Sequence, residues 1–168
     1  MPTALPYCST EYRKGTKWIG TKGNGLFYFA TDKGKYKEFQ QVPLDADNLL
    51  SKNIYSLLID SKERLWVGTF ASGLLFSKQS TIDNVFFQKA PFNSQKDIRY
   101  LIEDNQGFIW AAGNNGIDHF KPDEMFSNPT AVQKMFFDQK NPKSLNNNEV
   151  KCVFEDSRGD IWVGTSGG

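Results

Sequence analysis

One tryptophan setting returns four times along this chain, and it constrains the fold more than any other feature. The chain has 168 residues and four tryptophans, so every tryptophan takes part. Each is followed two positions later by glycine or alanine, and three positions later by threonine or glycine. The shared setting, with spacings of 44 to 52 residues, indicates an internal repeat of that length. The tryptophans are Trp18, Trp66, Trp110 and Trp162.

The second to fourth repeats each begin with an apolar run that has the length of a β-strand. Residues 54–59, 98–102 and 150–154 are rich in β-branched and aromatic side chains and too short for helices. An aspartate stands six residues before the tryptophan of each of these three repeats, and in two of them a glycine follows it by three residues. These residues predict a tight hairpin, in which the aspartate accepts turn amides and the glycine takes a positive φ. The turn residues are Asp60, Asp104, Asp156, Gly107 and Gly159.

Three further strands are expected in a complete repeat. The second carries the tryptophan, the third follows a glycine-containing loop, and the fourth is more polar and ends at Phe39, Phe87 or Phe137. This order predicts a four-stranded antiparallel meander whose most apolar strand is the first. A decrease in apolar character from the first strand to the fourth is typical of a β-propeller blade, whose first strand lines the central channel. Helical solenoid repeats run about 33 to 47 residues and carry helical patterns, which this chain lacks.

Close packing between blades accounts for the residues around each tryptophan. We expect the tryptophans to be wedges between neighbouring blades, each burying on the order of 200 Å². A glycine two residues after the tryptophan would let the next blade approach beside the indole, at Gly20, Gly68 and Gly164. The third repeat departs from this pattern, with Ala112 at that position and Gly113 one place later.

The sequence therefore predicts an all-β fold, a β-propeller segment of about three and a half four-stranded antiparallel blades. Residues 1–168 would form one partial propeller. Its blades are expected at about 6–52, 53–97 and 98–149, with a half blade at 150–168. Propellers close at about four to eight blades. We accordingly expect either a fragment of a longer protein or a chain that self-associates through its open blade edges.

Composition excludes several classes of partner. The net charge is +1, from 20 basic and 19 acidic residues spread along the chain, which predicts no nucleic-acid partner. No apolar stretch approaches the roughly 20 residues of a membrane span, and residues 1–5 lack the features of a signal peptide. We expect no membrane contact from this segment. Cys8 and Cys152 occupy one strand position in distant blades and are expected to be buried free thiols, with a disulfide between paired chains as the alternative.

The residue types offer no convergent catalytic or metal-binding set. His119 is the only histidine, and a lone histidine cannot assemble a metal site, so we expect a packing or surface role. One aspartate in each hairpin does not converge on the six to eight oxygens that calcium takes. We predict no catalytic residue, no metal and no cofactor. The enzymatic alternative is a fragment of a propeller lyase or glycosidase, which would need clustered acids and bases.

Strand direction indicates where a ligand would bind. The loops between second and third strands share one face of the disc with the connections between blades. This face carries varied polar residues, whereas the hairpins on the opposite face are short and repetitive. Loops on a rigid scaffold commonly carry function, so we predict ligand contacts there. The candidate residues are Lys22, Asn24, Ser72, Asn114 and Asn115.

Two segments together resemble the two-component regulator propeller repeat. Residues 141–150 read Asn-Pro-Lys-Ser-Leu-Asn-Asn-Asn-Glu-Val, and residues 154–165 read Phe-Glu-Asp-Ser-Arg-Gly-Asp-Ile-Trp-Val-Gly-Thr. The pattern is also clear in the second and third repeats. It is weakest near the N terminus, where Tyr12 replaces the turn aspartate. The resemblance covers nearly the whole chain and rests on a composite pattern rather than on one short motif.

This resemblance implies a sensor region of a hybrid two-component system of the kind found in gut Bacteroides. Such a parent has two seven-bladed propellers, a β-sandwich, a membrane helix and a cytoplasmic histidine kinase. The resemblance further implies a periplasmic location and an oligosaccharide ligand, in a system that detects glycan breakdown products and controls polysaccharide utilisation. Ligand contacts vary with the glycan in this family, so no site residue is transferred. The non-enzymatic alternative is a structural or protein-docking propeller of a surface or secretion complex.

Overall fold

The computed structural model describes residues 5–13, 15–32, 35–42, 51–78, 85–92 and 95–168. It shows three four-stranded antiparallel sheets and one two-stranded sheet, each ordered as in the chain. The predicted all-β fold built from propeller blades is confirmed. Blade one comprises β1 Leu5–Arg13, β2 Thr16–Lys22, β3 Leu26–Asp32 and β4 Lys35–Gln41.

The remaining sheets repeat this meander with shorter outer strands. Blade two comprises β5 Ile54–Ile59, β6 Leu65–Thr69, β7 Leu74–Ser77 and β8 Gln88–Lys89. Blade three comprises β9 Ile98–Glu103, β10 Ile109–Gly113, β11 Gly116–Phe120 and β12 Gln133–Met135. The half blade comprises β13 Val150–Glu155 and β14 Ile161–Thr165.

The outer part of blades two and three differs from the sequence prediction. Phe87 lies just before β8 and Phe137 lies two residues beyond β12, so neither ends its fourth strand. The chain also forms a helix that the repeat pattern does not predict, α1 Pro122–Ser127, followed by a 3-10 turn at Pro129–Ala131. Helix α1 buries Met125 completely and places the Phe126 ring 4.8 Å from that of Phe76 in blade two. The insertion therefore joins two blades.

The hydrophobic core lies between the blades. Buried residues form three clusters, and each combines side chains of two consecutive blades. At the first two interfaces, the opening isoleucine of one blade packs on the glycine of the preceding blade. A Cβ added at Gly20 would lie 2.6 Å from Cγ2 of Ile54, and one at Gly68 would lie 2.7 Å from Cγ2 of Ile98. At the third interface Ala112 stands in place of the glycine and Val150 in place of the isoleucine, and both lie in one buried cluster. The extra methyl group of Ala112 is thus offset by the smaller side chain of Val150.

Each turn aspartate organises its own hairpin and fixes the tryptophan of its blade. Oδ1 of Asp104 accepts the amides of Gln106 and Phe108 at 3.0 and 2.8 Å, and Oδ2 accepts Nε1 of Trp110 at 2.8 Å. Asp60 and Asp156 repeat both features, with indole bonds of 2.8 and 3.1 Å. This carboxylate thus satisfies turn amides and an indole N–H, which in blade two is fully buried and would otherwise lack a partner.

A second recurrent contact ties the hairpins of blades two and three to the next blade. The residue after the turn aspartate donates its amide to a glutamate that precedes the turn aspartate of the following blade. Ser61 donates its amide and its hydroxyl to Glu103, both at 2.6 Å. The amide of Asn105 lies 2.9 and 3.1 Å from the two carboxylate oxygens of Glu155. Charge-assisted bonds of this kind fix the register of one blade against the next.

The two thiols have different surroundings. Cys8 is half-buried beside Ile54, and burial raises the pKa of its thiol to about 11. Cys152 is exposed, which corrects the expectation of two buried thiols. Its strand β13 belongs to the half blade, where no described element packs over the outer face. Both thiols are free among the described residues.

Candidate functional site

The inner strands of the four sheets present a row of large polar or aromatic side chains. Each lies eleven residues before the tryptophan of its repeat, so the row follows from the repeat geometry. We call it the inner-strand row. Its members are Tyr7 on β1, Tyr55 on β5, Arg99 on β9 and Lys151 on β13.

The first half of the row is an aromatic surface. The rings of Tyr7 and Tyr55 lie 5.4 Å apart between centroids and are tilted by 49°. Phe70, from the loop after β6, meets Tyr55 edge-on at 5.9 Å and is 42% exposed. Tyr7 is 48% exposed. These rings therefore form a partly open aromatic platform rather than part of the buried core.

The second half of the row is cationic. The guanidinium carbon of Arg99 lies 5.7 Å from the centre of the Tyr55 ring, within the range of a cation–π contact. Nη1 of Arg99 is 4.0 Å from Oε1 of Glu149. Glu149 has two closer partners, since its Oε1 accepts Nζ of Lys151 at 2.5 Å and its Oε2 accepts the hydroxyl of Ser166 at 2.6 Å. These two hydrogen bonds are the main reason why the pKa of Glu149 is lowered. The hydrogen-bond partners of Glu149 are thus Lys151 and Ser166, and Arg99 contributes only a weaker charge interaction.

A groove of about 390 Å³ lies against this row. It is lined by Tyr7, Tyr55, Arg99 and Tyr100, which come from three consecutive blades. Nε of Arg99 is buried and forms no hydrogen bond with any described residue. A buried donor without a partner is uncommon in folded proteins. The Arg99 side chain as a whole is half-buried and lines the groove, so the rest of its guanidinium is open to a ligand there.

The first three candidate residues from the sequence lie in loops or at strand ends on the predicted face. Lys22 ends β2, is exposed, and is bridged to Asn53 of the next blade. The carbonyl of Asn24 accepts Nε2 of Gln41 at 2.9 Å. Ser72 donates its amide to the Thr69 hydroxyl at 3.1 Å. These contacts describe loop architecture, and the groove is lined by other residues.

The other two candidates, Asn114 and Asn115, lie in the loop of blade three where other residues replace a threonine contact of blades one and two. Hydroxyls of Thr21 and Thr69 donate to the loop carbonyls of Gly25 and Gly73 in blades one and two. Blade three has Gly113 at that position, where an added Cβ would lie 1.7 Å from the carbonyl oxygen of Asp97.

Gln95 replaces the missing hydroxyl in blade three. Its Nε2 donates to the carbonyl of Gly116 at 2.9 Å, and its Oε1 accepts the amide of Asn115 at 2.9 Å. Asn114 donates Nδ2 to Oδ2 of Asp97 at 3.1 Å. The structure therefore uses these two asparagines to join a loop to the connection between blades. Their role in ligand contact stays a prediction.

Two titratable groups of blade three are enclosed away from the groove. Asp118 is buried, which raises its pKa, and it pairs with Nζ of Lys134 at 3.0 Å on the neighbouring strand. His119 is stacked on Phe108 at 4.5 Å and lies 4.1 Å from the Trp110 ring, and burial lowers its pKa. His119 thus packs between rings. The described residues contain no group of three or more side chains suited to holding a metal ion.

The arrangement at the groove suits binding rather than bond cleavage. Aromatic faces provide apolar contact area, and a guanidinium provides directed donors for a polar or anionic group. Sequence reasoning missed this row because it concentrated on loops. The signal was available once the repeats were aligned, since Tyr, Tyr, Arg and Lys interrupt the apolar first strands at one shared position.

Comparison with known proteins agrees with the fold and the repeat. The family model described as two component regulator propeller matches residues 48–71 and 144–167. These two segments carry the two component regulator propeller repeat. These repeats span the start of blade two and the half blade, and both contain the turn aspartate and its tryptophan. The propeller family predicted from the sequence is confirmed.

Solved structures resemble nearly the whole propeller segment. The extracellular domain of the protein described as hybrid two component system BT4673 from B. thetaiotaomicron is 26% identical, with a TM-score of 0.74 over 98% of this chain. The corresponding domain of BT3049 from the same organism is 22% identical, with a TM-score of 0.68 over 94% of this chain. The second likeness bears on the fold alone.

A curated relative matches over a shorter stretch. Histidine kinase P4 of Formosa agariphila is 36% identical over 66 residues, which is 39% of this chain. The chain spans 5% of that relative and 18% and 21% of the BT3049 and BT4673 chains. Within the described residues, no helix combines the length and apolar character that crossing a membrane requires.

Proposed function

We propose that this segment is a non-catalytic, ligand-binding part of the extracytoplasmic sensor region of a hybrid two-component system, located in the periplasm. The family match, the BT4673 likeness and the histidine kinase relative support a sensor propeller. The kinase that such a sensor would control belongs to another part of the parent protein. Binding at the propeller would be transmitted through the packed blade interfaces.

The ligand we propose is a glycan-derived oligosaccharide, and the inner-strand row is the observation that carries this choice. Sugar rings present apolar C–H faces and polar edges, so they suit a platform of tilted aromatic rings beside a group with directed donors. Tyr7, Tyr55 and Phe70 supply the rings, and Arg99 supplies the donors. The groove of about 390 Å³ falls within the usual range for small-ligand sites.

Tyr55 is the residue whose loss should weaken oligosaccharide binding most, because it contacts both neighbouring rings and the guanidinium. We expect Tyr55→Ala to raise Kd about tenfold or more for any oligosaccharide that binds the wild-type chain, since truncating a central aromatic anchor costs about 2 kcal/mol or more and tenfold corresponds to about 1.4 kcal/mol. The measurement is isothermal titration calorimetry against a panel of neutral and acidic oligosaccharides.

A matched control is Phe86→Ala. Phe86 is 62% exposed and lies beside the outer strand of blade two, outside the groove. The substitution removes an exposed aromatic ring that does not belong to the inner-strand row, so oligosaccharide binding should stay at the wild-type level. A panel with no binder, or equal binding by Tyr55→Ala and wild type, would contradict the proposed site.

A further inference from the structure

We infer that the ligand of the inner-strand row carries an anionic substituent, a carboxylate or a sulfate, and that Arg99 is the residue that selects for it. This inference rests on the proposed function, because it assigns a ligand class to the same groove. It goes beyond a general oligosaccharide site in naming the charge of the ligand and the side chain that reads it.

Arg99 has donors that no described residue accepts. Its guanidinium lies over the Tyr55 ring, and its Nε is buried without a hydrogen-bond partner among the described residues. The nearest carboxylate is Glu149, 4.0 Å from Nη1, which is the outer limit of an ion pair. A guanidinium offers five donors in a planar fork that matches the geometry of a carboxylate or sulfate. Arg99 therefore retains donors that a bound oxyanion can satisfy.

The two carboxylates near the row already accept hydrogen bonds from other residues. Glu149 bonds Lys151 and Ser166 at 2.5 and 2.6 Å. Asp97 accepts the amide of Ala71 at 2.9 Å and Nδ2 of Asn114 at 3.1 Å. Neither takes a hydrogen bond from Arg99, whose closest approach to a carboxylate is the 4.0 Å contact with Glu149, so the guanidinium donors stay open to an anion.

Charge is distributed unevenly between the two faces of the propeller segment. Among the described residues from 22–25, 51–53, 70–73, 95–99, 113–116 and 149–151, five side chains are basic and two are acidic. The opposite face carries the turn aspartates and the glutamates that tie the hairpins to the next blade, such as Glu103 and Glu155. The described residues of this loop face are therefore net basic although the whole chain has a net charge of only +1, and a basic face favours the approach of anions. The basic residues are Lys22, Lys52, Lys96, Arg99 and Lys151.

Two pairs of probes separate charge from sugar shape. The first pair is trigalacturonate and its fully methyl-esterified form, which share one skeleton and differ in the carboxylate charges. The second pair is a galactose disaccharide 6-sulfate and its desulfated parent. Calorimetry with the wild-type chain at low and moderate salt gives Kd for all four. We expect the charged member of at least one pair to bind about tenfold to a hundredfold more tightly, and the preferred pair identifies carboxylate or sulfate as the recognised group.

Variants then assign the discrimination to one side chain. Arg99→Met keeps the apolar stem and removes the charge, so we expect it to bind the charged and neutral members of the preferred pair equally. Arg99→Lys keeps the charge and loses the fork, so part of the preference should remain. Lys89→Met, on the outer strand β8, removes one positive charge away from the row and should leave the preference unchanged.

The outcomes distinguish this inference from the proposed function. Equal binding of both members of each pair by the wild-type chain would overturn the anionic ligand and leave oligosaccharide binding in place. A preference that survives in Arg99→Met would overturn the role of Arg99. No binding of any probe would overturn both the anionic class and the oligosaccharide site.

Discussion

Replacing Asp60 with alanine is expected to lower the free energy of unfolding by about 3 to 5 kcal/mol, the range for removing one partner of a buried ion pair. Oδ2 of Asp60 accepts Nε of Arg64 at 2.5 Å and Nε1 of Trp66 at 2.8 Å, and Oδ1 accepts two turn amides. The Asp60 side chain is fully buried and that of Arg64 is 9% exposed. Alanine would leave a buried guanidinium without its closest partner and the indole N–H of Trp66 without an acceptor. Urea unfolding followed by tryptophan fluorescence measures the loss.

Asp156→Ala is the matched control for this prediction. Asp156 makes the same turn bonds and bonds its own indole, Trp162, at 3.1 Å. Its cation partner, Arg158, is 71% exposed, so water replaces the lost contacts. We expect a much smaller loss of stability than for Asp60→Ala. Equal losses for the two variants would show that burial of the pair is not the source of the effect.

Trp66→Ala is expected to destabilise the chain by about 3 to 5 kcal/mol through the cavity that it creates. Trp66 has no exposed surface, and its ring lies 5.4 Å from Phe76, 5.5 Å from Phe120 and 6.5 Å from Phe126 between centroids. Phe120 and Phe126 belong to blade three, so this tryptophan joins two blades. The urea midpoint should fall with an unchanged slope, which would report a loss of stability alone.

The equivalent substitution in the half blade should behave differently. Trp162 is 59% exposed and Phe154 on the adjacent strand is 61% exposed, because no described element packs over this face. Trp162→Ala should therefore cost well under half as much as Trp66→Ala. If the two variants lost the same stability, the tryptophans would act within their own blades and not as wedges between them.

The repeat made the blades predictable from the sequence. Tryptophan spacing, apolar first strands and Asp–Gly turns are local signals, so β5, β6, β9, β10, β13 and β14 could be recognised before the structure was known. Gly107 and Gly159 have φ of 78° and 85°, as the turn requires. Blade two has Glu63 at the same position with φ of 60°, so the turn shape persists without its glycine.

The outer elements and the groove depended on contacts that sequence patterns do not contain. Helix α1 is 6 residues long, too short for a periodic pattern, and Phe126 stabilises it by packing on rings of another blade. The fourth strands differ in length, with 7 residues in β4 but 2 in β8 and 3 in β12, so the repeat pattern does not set the length of this edge strand. The groove could not be predicted because it forms only when three blades pack side by side and bring side chains from Tyr7 to Arg99 to one surface.

Mapping of ligand contacts by ¹H–¹⁵N correlation spectra tests the central claim most directly. The chain would be titrated with the charged member of the preferred probe pair, trigalacturonate or the galactose disaccharide 6-sulfate, and separately with its uncharged partner. Our account predicts saturable shifts that are largest for the amides of Tyr7, Tyr55 and Arg99 on the inner strands. Shifts centred on Asn114 and Asn115, shifts centred on the half-blade face around Trp162, or no saturable shift with either sugar would contradict it.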